Sequence, residues 1–327
     1  MSDFVRPQIV RAENDLLFDA EGKTYVDLFS GHGATWLGHA HPEIVAGVAR
    51  QLERVWISPG FVHSAVEEAK ALVEAFFPAS HELAGFFSTG MEAAEFALRQ
   101  ARVHTGRSEV IGFERGMHGK SLATSSLGWE NEGGVRLPDV SRLPFLASHT
   151  EAEILEQARS ALGTGRVAAL FVEPIQGCGG GQMGSPSFYR ALADLCREHD
   201  TLLVFDEILT GFHRTGPAFV FADLHVTPDV ILIGKALGNG FPVSGVVSDR
   251  RIGVRPEMLP GSTFAGNPLA AAAVCATLAT LRGLDLESRV AEIGRTLERA
   301  LAPLRDAGVE VRGRGAIWVL SVPEGPD

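Results

Sequence analysis

The 327-residue sequence predicts an α/β fold built on a mainly parallel central sheet with helices on both faces. Three observations predict it. Apolar runs of strand length alternate with segments of helical period through most of the chain. Two of those runs, Thr201-Leu-Leu-Val-Phe-Asp206 and Asp229-Val-Ile-Leu-Ile-Gly-Lys235, each end in an ionisable residue, as strands do when the carboxyl edge of a parallel sheet carries a site. The composition, 45% hydrophobic and 21% charged, suits one large domain plus a smaller one.

Taken in order, the first forty residues read as short strands and turns, with Asp19-Ala-Glu-Gly22 as a turn signal between two strands. Pro42 suits a first helical position, and Ile44, Val45, Val48, Leu52 and Val55 recur on one helical face. A second helix is predicted over 64–77, stopped by Pro78. Strands are predicted at 109–113, 167–172, 201–205, 229–233 and 243–247. Helices are predicted at 91–105, 151–162, 186–199 and 268–281, the last with Asn267 as N-cap and Gly283 just past its end. A final helix over 286–304 leads to strands at 309–311 and 317–322, and the second stops at the Pro323-Glu-Gly-Pro-Asp327 end. There is no internal repeat, low-complexity segment or linker.

The formal net charge of −11 argues against nucleic acid or an anionic membrane as the main partner. It leaves an anionic cofactor open, because local backbone N–H groups hold a phosphate. Cys178, Cys196 and Cys275 are too few and scattered for a disulfide framework or structural zinc, so no metal site is expected and a reducing cytoplasm is the expected compartment. No apolar stretch reaches membrane-spanning length, and no signal-peptide core follows the first residues.

Lys235 lies where a buried strand breaks into a glycine-rich turn. A strand-terminal lysine reaching water is the plain reading, since lysine is rarely buried unpaired. With Asp206 ending a second strand, the two make the pair that pyridoxal-phosphate chemistry needs. The lysine forms a Schiff base, and the aspartate keeps the pyridine nitrogen protonated so that the ring takes up electrons. Ser88-Thr-Gly-Met-Glu-Ala-Ala-Glu95 opens an amphipathic helix with Phe96, Ala97 and Ala101 inward, and its first turn offers free N–H groups to an anion. Arg115-Gly-Met-His-Gly-Lys-Ser121 and Phe171-Val-Glu-Pro-Ile-Gln-Gly177 follow strands at the same edge. The glycines at 179–184 match a dinucleotide spacing but do not follow their strand directly, so a flexible loop is expected there. Gly211-Phe-His-Arg-Thr-Gly216 reads as a turn that could line a site. His32, His39 and His41 read as turn and helix-cap residues, and no serine-hydrolase pattern stands out.

Together these segments resemble the class III aminotransferases, fold-type I pyridoxal-phosphate enzymes. The resemblance runs over nearly the whole chain, through Leu37-Gly-His-Ala-His-Pro42, Thr89-Gly-Met-Glu-Ala-Ala-Glu95, Met117-His-Gly119, Val172-Glu-Pro-Ile-Gln176, Phe205-Asp-Glu-Ile208, Thr210-Gly-Phe-His-Arg-Thr-Gly216, Gly234-Lys-Ala-Leu-Gly238 and Gly261-Ser-Thr-Phe264. It implies a ping-pong transaminase working as a homodimer, with an amine or amino-acid donor and a keto-acid or aldehyde acceptor. Lys235 and Asp206 are the implied catalytic residues. Gly90, Met91, Met117, His118, Glu173, Asp206, Ile208, Lys235 and Thr263 are the implied cofactor contacts, with Thr263 reaching across the dimer interface. The implied organisation is an N-terminal segment (1–40) contributing to the small domain, a large cofactor-binding domain (41–267), and an interdomain helix with an incomplete α+β small domain (268–327).

Three positions depart from the family pattern. Position 117 is usually aromatic, position 91 is commonly Ser or Thr, and Leu209 replaces a polar residue that often contacts the ring's 3-hydroxyl. Weaker or differently tuned cofactor binding is expected. Family members run past the position of Asp327, where the arginine for a substrate carboxylate usually lies, so a truncated or half-built site, or one completed by the partner, is a further expectation. An aminomutase, decarboxylase or epimerase on the same scaffold stays open, as does a non-catalytic nucleotide-binding protein. The Met-His-Gly-Lys-Ser stretch faintly resembles enzymes acting on terminal amines such as putrescine or ornithine derivatives.

Overall fold

The computed structural model describes residues 6–129 and 135–322. The expectations for the first residues and for the Pro-Glu-Gly-Pro-Asp end fall on 1–5 and 323–327, outside the described residues. Three short strands, β1 (Ile9–Glu13), β2 (Leu16–Asp19) and β3 (Thr24–Val26), form an antiparallel sheet. The predicted turn between β2 and β3 is held by the Asp19 carboxylate, which accepts the amides of Glu21 and Lys23 at 3.0 and 2.8 Å. After a helical turn α1 (Ser30–Gly33) come α2 (Pro42–Leu52) and α3 (Ser64–Glu74). The third helix ends at Glu74, short of the predicted 77: Ala75 caps it, and the chain turns at Pro78 into a strand.

The alternating part then runs β4 (His81–Phe87), α4 (Gly90–Thr105), β5 (Glu109–Phe113), α5 (Leu122–Ser126), β6 (Val140–Leu143), α6 (Glu151–Leu162), β7 (Val167–Val172), α7 (Pro186–Glu198), β8 (Leu202–Asp206), α8 (Val220–Asp223), β9 (Val230–Ile233) and β10 (Ser244–Asp249). A 3-10 turn, Lys235–Leu237, follows β9. The long helices α9 (Pro268–Arg282) and α10 (Leu286–Asp306) lead to the hairpin β11 (Glu310–Arg314) and β12 (Ile317–Ser321). Asn267 caps α9 by accepting the Ala270 amide at 2.8 Å, with Gly283 at the far end, as the sequence predicts.

The central sheet has seven strands in the order β4-β10-β9-β8-β7-β5-β6. Only β10 is reversed: it pairs antiparallel with both β4 and β9, while the pairs among β5 to β9 are parallel. The middle of the sheet is buried on both sides, so β7, β8 up to Asp206 and β9 are apolar runs instead of alternating with polar residues. Leu203, Phe205, Ile231 and Ile233 face a core packed by α3, α6, α7 and α9, and Val204, Val230 and Leu232 face a second core packed by α4. The strand ends therefore form one edge carrying Ser88, Glu173, Asp206 and Lys235. Among the described residues no single helix is long and apolar enough to cross a membrane.

Candidate active site

The alternation of strand side chains separates two neighbouring carboxylates at the end of β8. Asp206 continues the side of Leu202 and Val204, and Glu207 continues the side of Leu203 and Phe205. Glu207, fully buried, accepts the Thr210 hydroxyl at 2.6 Å and the amides of Val220 and Phe221 at 3.1 and 2.8 Å, so it organises the loop that leads into α8. Burial pushes its carboxyl up to about 7, against the pull of those three donors.

Asp206 faces the other way. Its Oδ2 lies 2.8 Å from Nδ1 of His118, and its Oδ1 accepts the Ile208 amide at 3.1 Å. His118 is buried with its ring edge against Phe171, centroids 5.8 Å apart. Burial alone would disfavour the charged ring, but the bond to Asp206 and its negative charge, aided by Glu173, hold the imidazole above its ordinary pKa. Buried His118 Nε2 has no partner among the described residues. Glu173, just past the end of β7, accepts the Met117 amide at 3.0 Å. Burial raises its carboxyl to about 7, with Asp206 adding to the rise and the His118 charge opposing it.

Lys235 follows β9 in the left-handed region, with φ +42. It stands next to the Asp206 strand, since Asp206 pairs with Leu232 three residues earlier. Desolvation lowers its amine below the usual lysine value, and Asp206 and Glu173 oppose that shift without reversing it. A partly neutral amine is the form that condenses with an aldehyde. Ile208 packs between the start of α4 and the end of β9: a Cβ built on Gly90 would meet Ile208 Cδ1 at 2.7 Å, and one on Gly234 would meet Ile208 Cγ2 at 3.3 Å.

The start of α4 completes the edge. Thr89 and Glu92 form a capping box, in which Thr89 Oγ1 accepts the Glu92 amide at 3.2 Å while the Glu92 carboxylate accepts the Ser88 and Thr89 amides. That leaves the amides of Gly90 and Met91, among the described residues, without an acceptor at a helix N-terminus, and Ser88 Oγ buried without a partner. These free donors, the Asp206–His118 pair and a buried lysine on the next strand fit pyridoxal phosphate. The phosphate would meet the α4 N-terminus, the ring nitrogen Asp206, and the aldehyde Lys235.

The geometry thus gathers Lys235, Asp206, His118, Glu173, Met117 and Ile208 at one sheet edge, with Gly90 and Met91 beside them. Thr263 stands apart. It is exposed in the 261–266 loop, and with residues 57–61 it lines a depression of about 100 Å³. A cavity of about 670 Å³ among α2, α3 and α9 touches neither Lys235 nor Asp206. The 177–184 stretch forms a bridged turn: Gln176 and Gln182 pair, Gly181 donates to the Gln176 carbonyl at 2.8 Å, and Gly181 packs on Val319 of β12. His41 does occupy the N-cap position of α2, but its side chain makes no capping bond, and His39 pairs instead with Asp27 at 2.8 Å.

One contributor carries no local sequence signal for the site, and a second was read only as part of a turn that could line one. The segment 29–37 comes from far along the chain to lie beside the lysine, and a Cβ on Gly33 would meet Leu209 Cδ1 at 2.9 Å and Lys235 Cδ at 3.9 Å. Arg214, read only as part of a turn, is buried and donates from Nη2 to the Gly33 carbonyl at 2.6 Å.

The aminotransferase class-III family model matches residues 2–327. An acetylornithine aminotransferase from Methanopyrus kandleri is 34% identical over 316 residues, covering 96% of this chain and 80% of that protein. Another from Bacillus subtilis is 35% identical over 318 residues, covering 94% of this chain and 80% of that one. Among solved structures, a PLP-bound amine transaminase from an uncultivated Pseudomonas species superposes with a TM-score of 0.88 at 26% identity, covering 95% of this chain and 79% of that one. A thermostable (S)-enantioselective omega-transaminase from Thermomicrobium roseum gives 0.87 at 29% identity, covering 98% and 79%. The edge geometry and these likenesses agree: the chain belongs to the class III aminotransferases, fold-type I enzymes that use pyridoxal phosphate for transamination.

Proposed function

We propose that Lys235 and Asp206 are the catalytic pair of this aminotransferase, that Gly90, Met91, Met117, His118, Glu173 and Ile208 hold its cofactor, and that the donor is a primary amine at the end of an ornithine-like chain. The observation that carries the site is the Asp206–His118 bond, buried one strand away from a lysine with a lowered pKa. Bound pyridoxal phosphate supplies an aldehyde that condenses with amines and a ring that stores electrons. Asp206 would hold a proton on the ring nitrogen, and His118 orients the Asp206 carboxylate through its bond to Oδ2. Lys235 Nζ would be the base that takes the proton from the amine-bearing carbon of the donor and the acid that returns it. Glu173 lies at the pocket wall with its carboxyl near 7, poised to change charge with its surroundings.

The donor class is supported by the relatives, two named acetylornithine aminotransferase and another, from Yersinia enterocolitica, named succinylornithine transaminase at 33% identity. A homodimer in which Thr263 completes the neighbouring site is supported by exposed apolar side chains on the segments around it, with Phe61 80%, Val62 86% and Phe264 57% exposed. The test is a donor screen on cofactor-loaded protein beside Lys235→Ala. Hydride reduction of the wild type is expected to fix the cofactor onto the Lys235 peptide, and the variant to lose at least about a thousandfold in turnover. Full turnover in the variant sinks the catalytic assignment, and products formed without a keto acid would point to a decarboxylase or epimerase.

A further inference from the structure

Arg214 is 4% exposed, yet among the described residues no carboxylate pairs with it. Its guanidinium lies over the Trp36 ring at 4.0 Å from the centroid, and Nη2 donates to the Gly33 carbonyl at 2.6 Å. Its Nε and Trp36 Nε1 are both buried without an acceptor among the described residues. A buried cation with no counter-ion is costly, and burial pushes it down to about 10. On the other side, the Arg214 carbonyl accepts the Ala316 amide at 3.0 Å, tying the turn to the β11–β12 hairpin. A Cβ on Gly33 would lie 3.9 Å from both Arg214 Nη2 and Lys235 Cδ, so the two cationic side chains flank one glycine.

We propose that Arg214 is a positioning residue of the transamination reaction: it clamps the 29–36 segment against the Lys235 side chain and fixes a positive charge beside that amine. The inference rests on Lys235 being the amine that meets the cofactor. A neighbouring cation opposes protonation of an amine, so it enlarges the neutral fraction that reacts. The other groups facing Lys235 are Asp206 on β8, Glu173 after β7 and Cys178 on the following loop, and each favours the charged amine. Arg214 is the cation set against those three. Acetyl-lysine formation at Lys235 with acetic anhydride, followed by peptide mass across pH on the cofactor-free full chain, reads this balance without relying on turnover.

In Arg214→Met, which keeps bulk and removes charge, the midpoint for Lys235 labelling is expected to rise by roughly one pH unit, as for a like charge removed from several ångströms away. The acid limb of kcat/KM on the loaded enzyme is expected to move the same way. Arg214→Lys is expected to keep the midpoint near that of the wild type, whatever it loses in stacking. An unshifted Met variant, or a Lys variant shifted as far as Met, overturns the proposal. If the Met variant does not fold, Arg214→Gln is read by the same rule. Hydride reduction that fails to attach the cofactor to Lys235 sinks the site assignment, whereas attachment without a pH shift sinks only the role of Arg214.

Discussion

Asp206 and Glu207 are adjacent in the chain and opposite in duty, and the pleat of β8 decides which is which. Asp206 holds His118 at the site, and Glu207 caps the α8 loop from within the core. The sequence shows two acids at a strand end, and the matching end of the Lys235 strand pointed to the first as an edge residue. The buried function of the second was not legible, because its donors come from Thr210, Val220 and Phe221 on the loop ahead. The raised Glu207 value has a testable sign. The unfolded carboxyl releases its proton near 4.5, and the native one holds it up to about 7. Between those values the native state binds more protons, so stability falls as pH rises through the window and levels off above it. Glu207→Gln removes that dependence. Its melting temperature is expected to fall by a few degrees less than that of the wild type between pH 4.5 and 7.5, at about 2–4 °C per kcal/mol for a chain of this size. Parallel melting curves for the two proteins would count against it.

At the scale of elements, the helices and inner strands were readable because each is buried in a way that marks the sequence: a single apolar stripe for helices, an unbroken apolar run for doubly covered strands. β4 and β6 were not anticipated. β4 carries His81, Glu82, Ala84 and Gly85, and β6 is four residues with exposed Ser141, so neither shows the run that marked β7, β8 and β9. Their place is fixed by partners instead, β10 for one and β5 for the other. The cap of α4 separates stability from cofactor binding. Thr89→Ala is expected to cost about 1 kcal/mol and to weaken pyridoxal-phosphate binding, because the free Gly90 and Met91 amides sit in the turn that it orders. Thr150→Ala removes the same kind of box from α6, with the same expected cost and no change in cofactor affinity. Equal cofactor affinities in a spectroscopic titration of the two variants would show that the α4 turn holds no phosphate.

For the whole molecule, the order of family motifs made the architecture legible, since their sequence along the chain matches the order in which strands deliver residues to one edge. The return of segment 29–37 to the lysine was invisible, being a contact between residues about two hundred positions apart, as in the Leu37 amide bonded to Asn239 at 2.6 Å. The association surface was only inferred from Thr263. Phe61 and Phe264 lie exposed on the neighbouring segments. Phe61→Asp is expected to shift sedimentation toward the monomer and to lower cofactor occupancy at equal protein concentration, because a buried charge is poorly tolerated in an apolar contact. An unchanged sedimentation profile with normal occupancy would remove Thr263 from the neighbouring site.

The left-handed backbone at Lys235 sets the interests of the fold against those of the chemistry. A side chain with a Cβ is held there at a disadvantage of roughly 1–2 kcal/mol, which glycine would escape. Selection for thermal robustness alone would therefore drift toward erasing the nitrogen proposed to react, and a library ranked by melting point would enrich sturdier proteins that lack it. Any effort to toughen this enzyme has to hold residue 235 fixed from the outset.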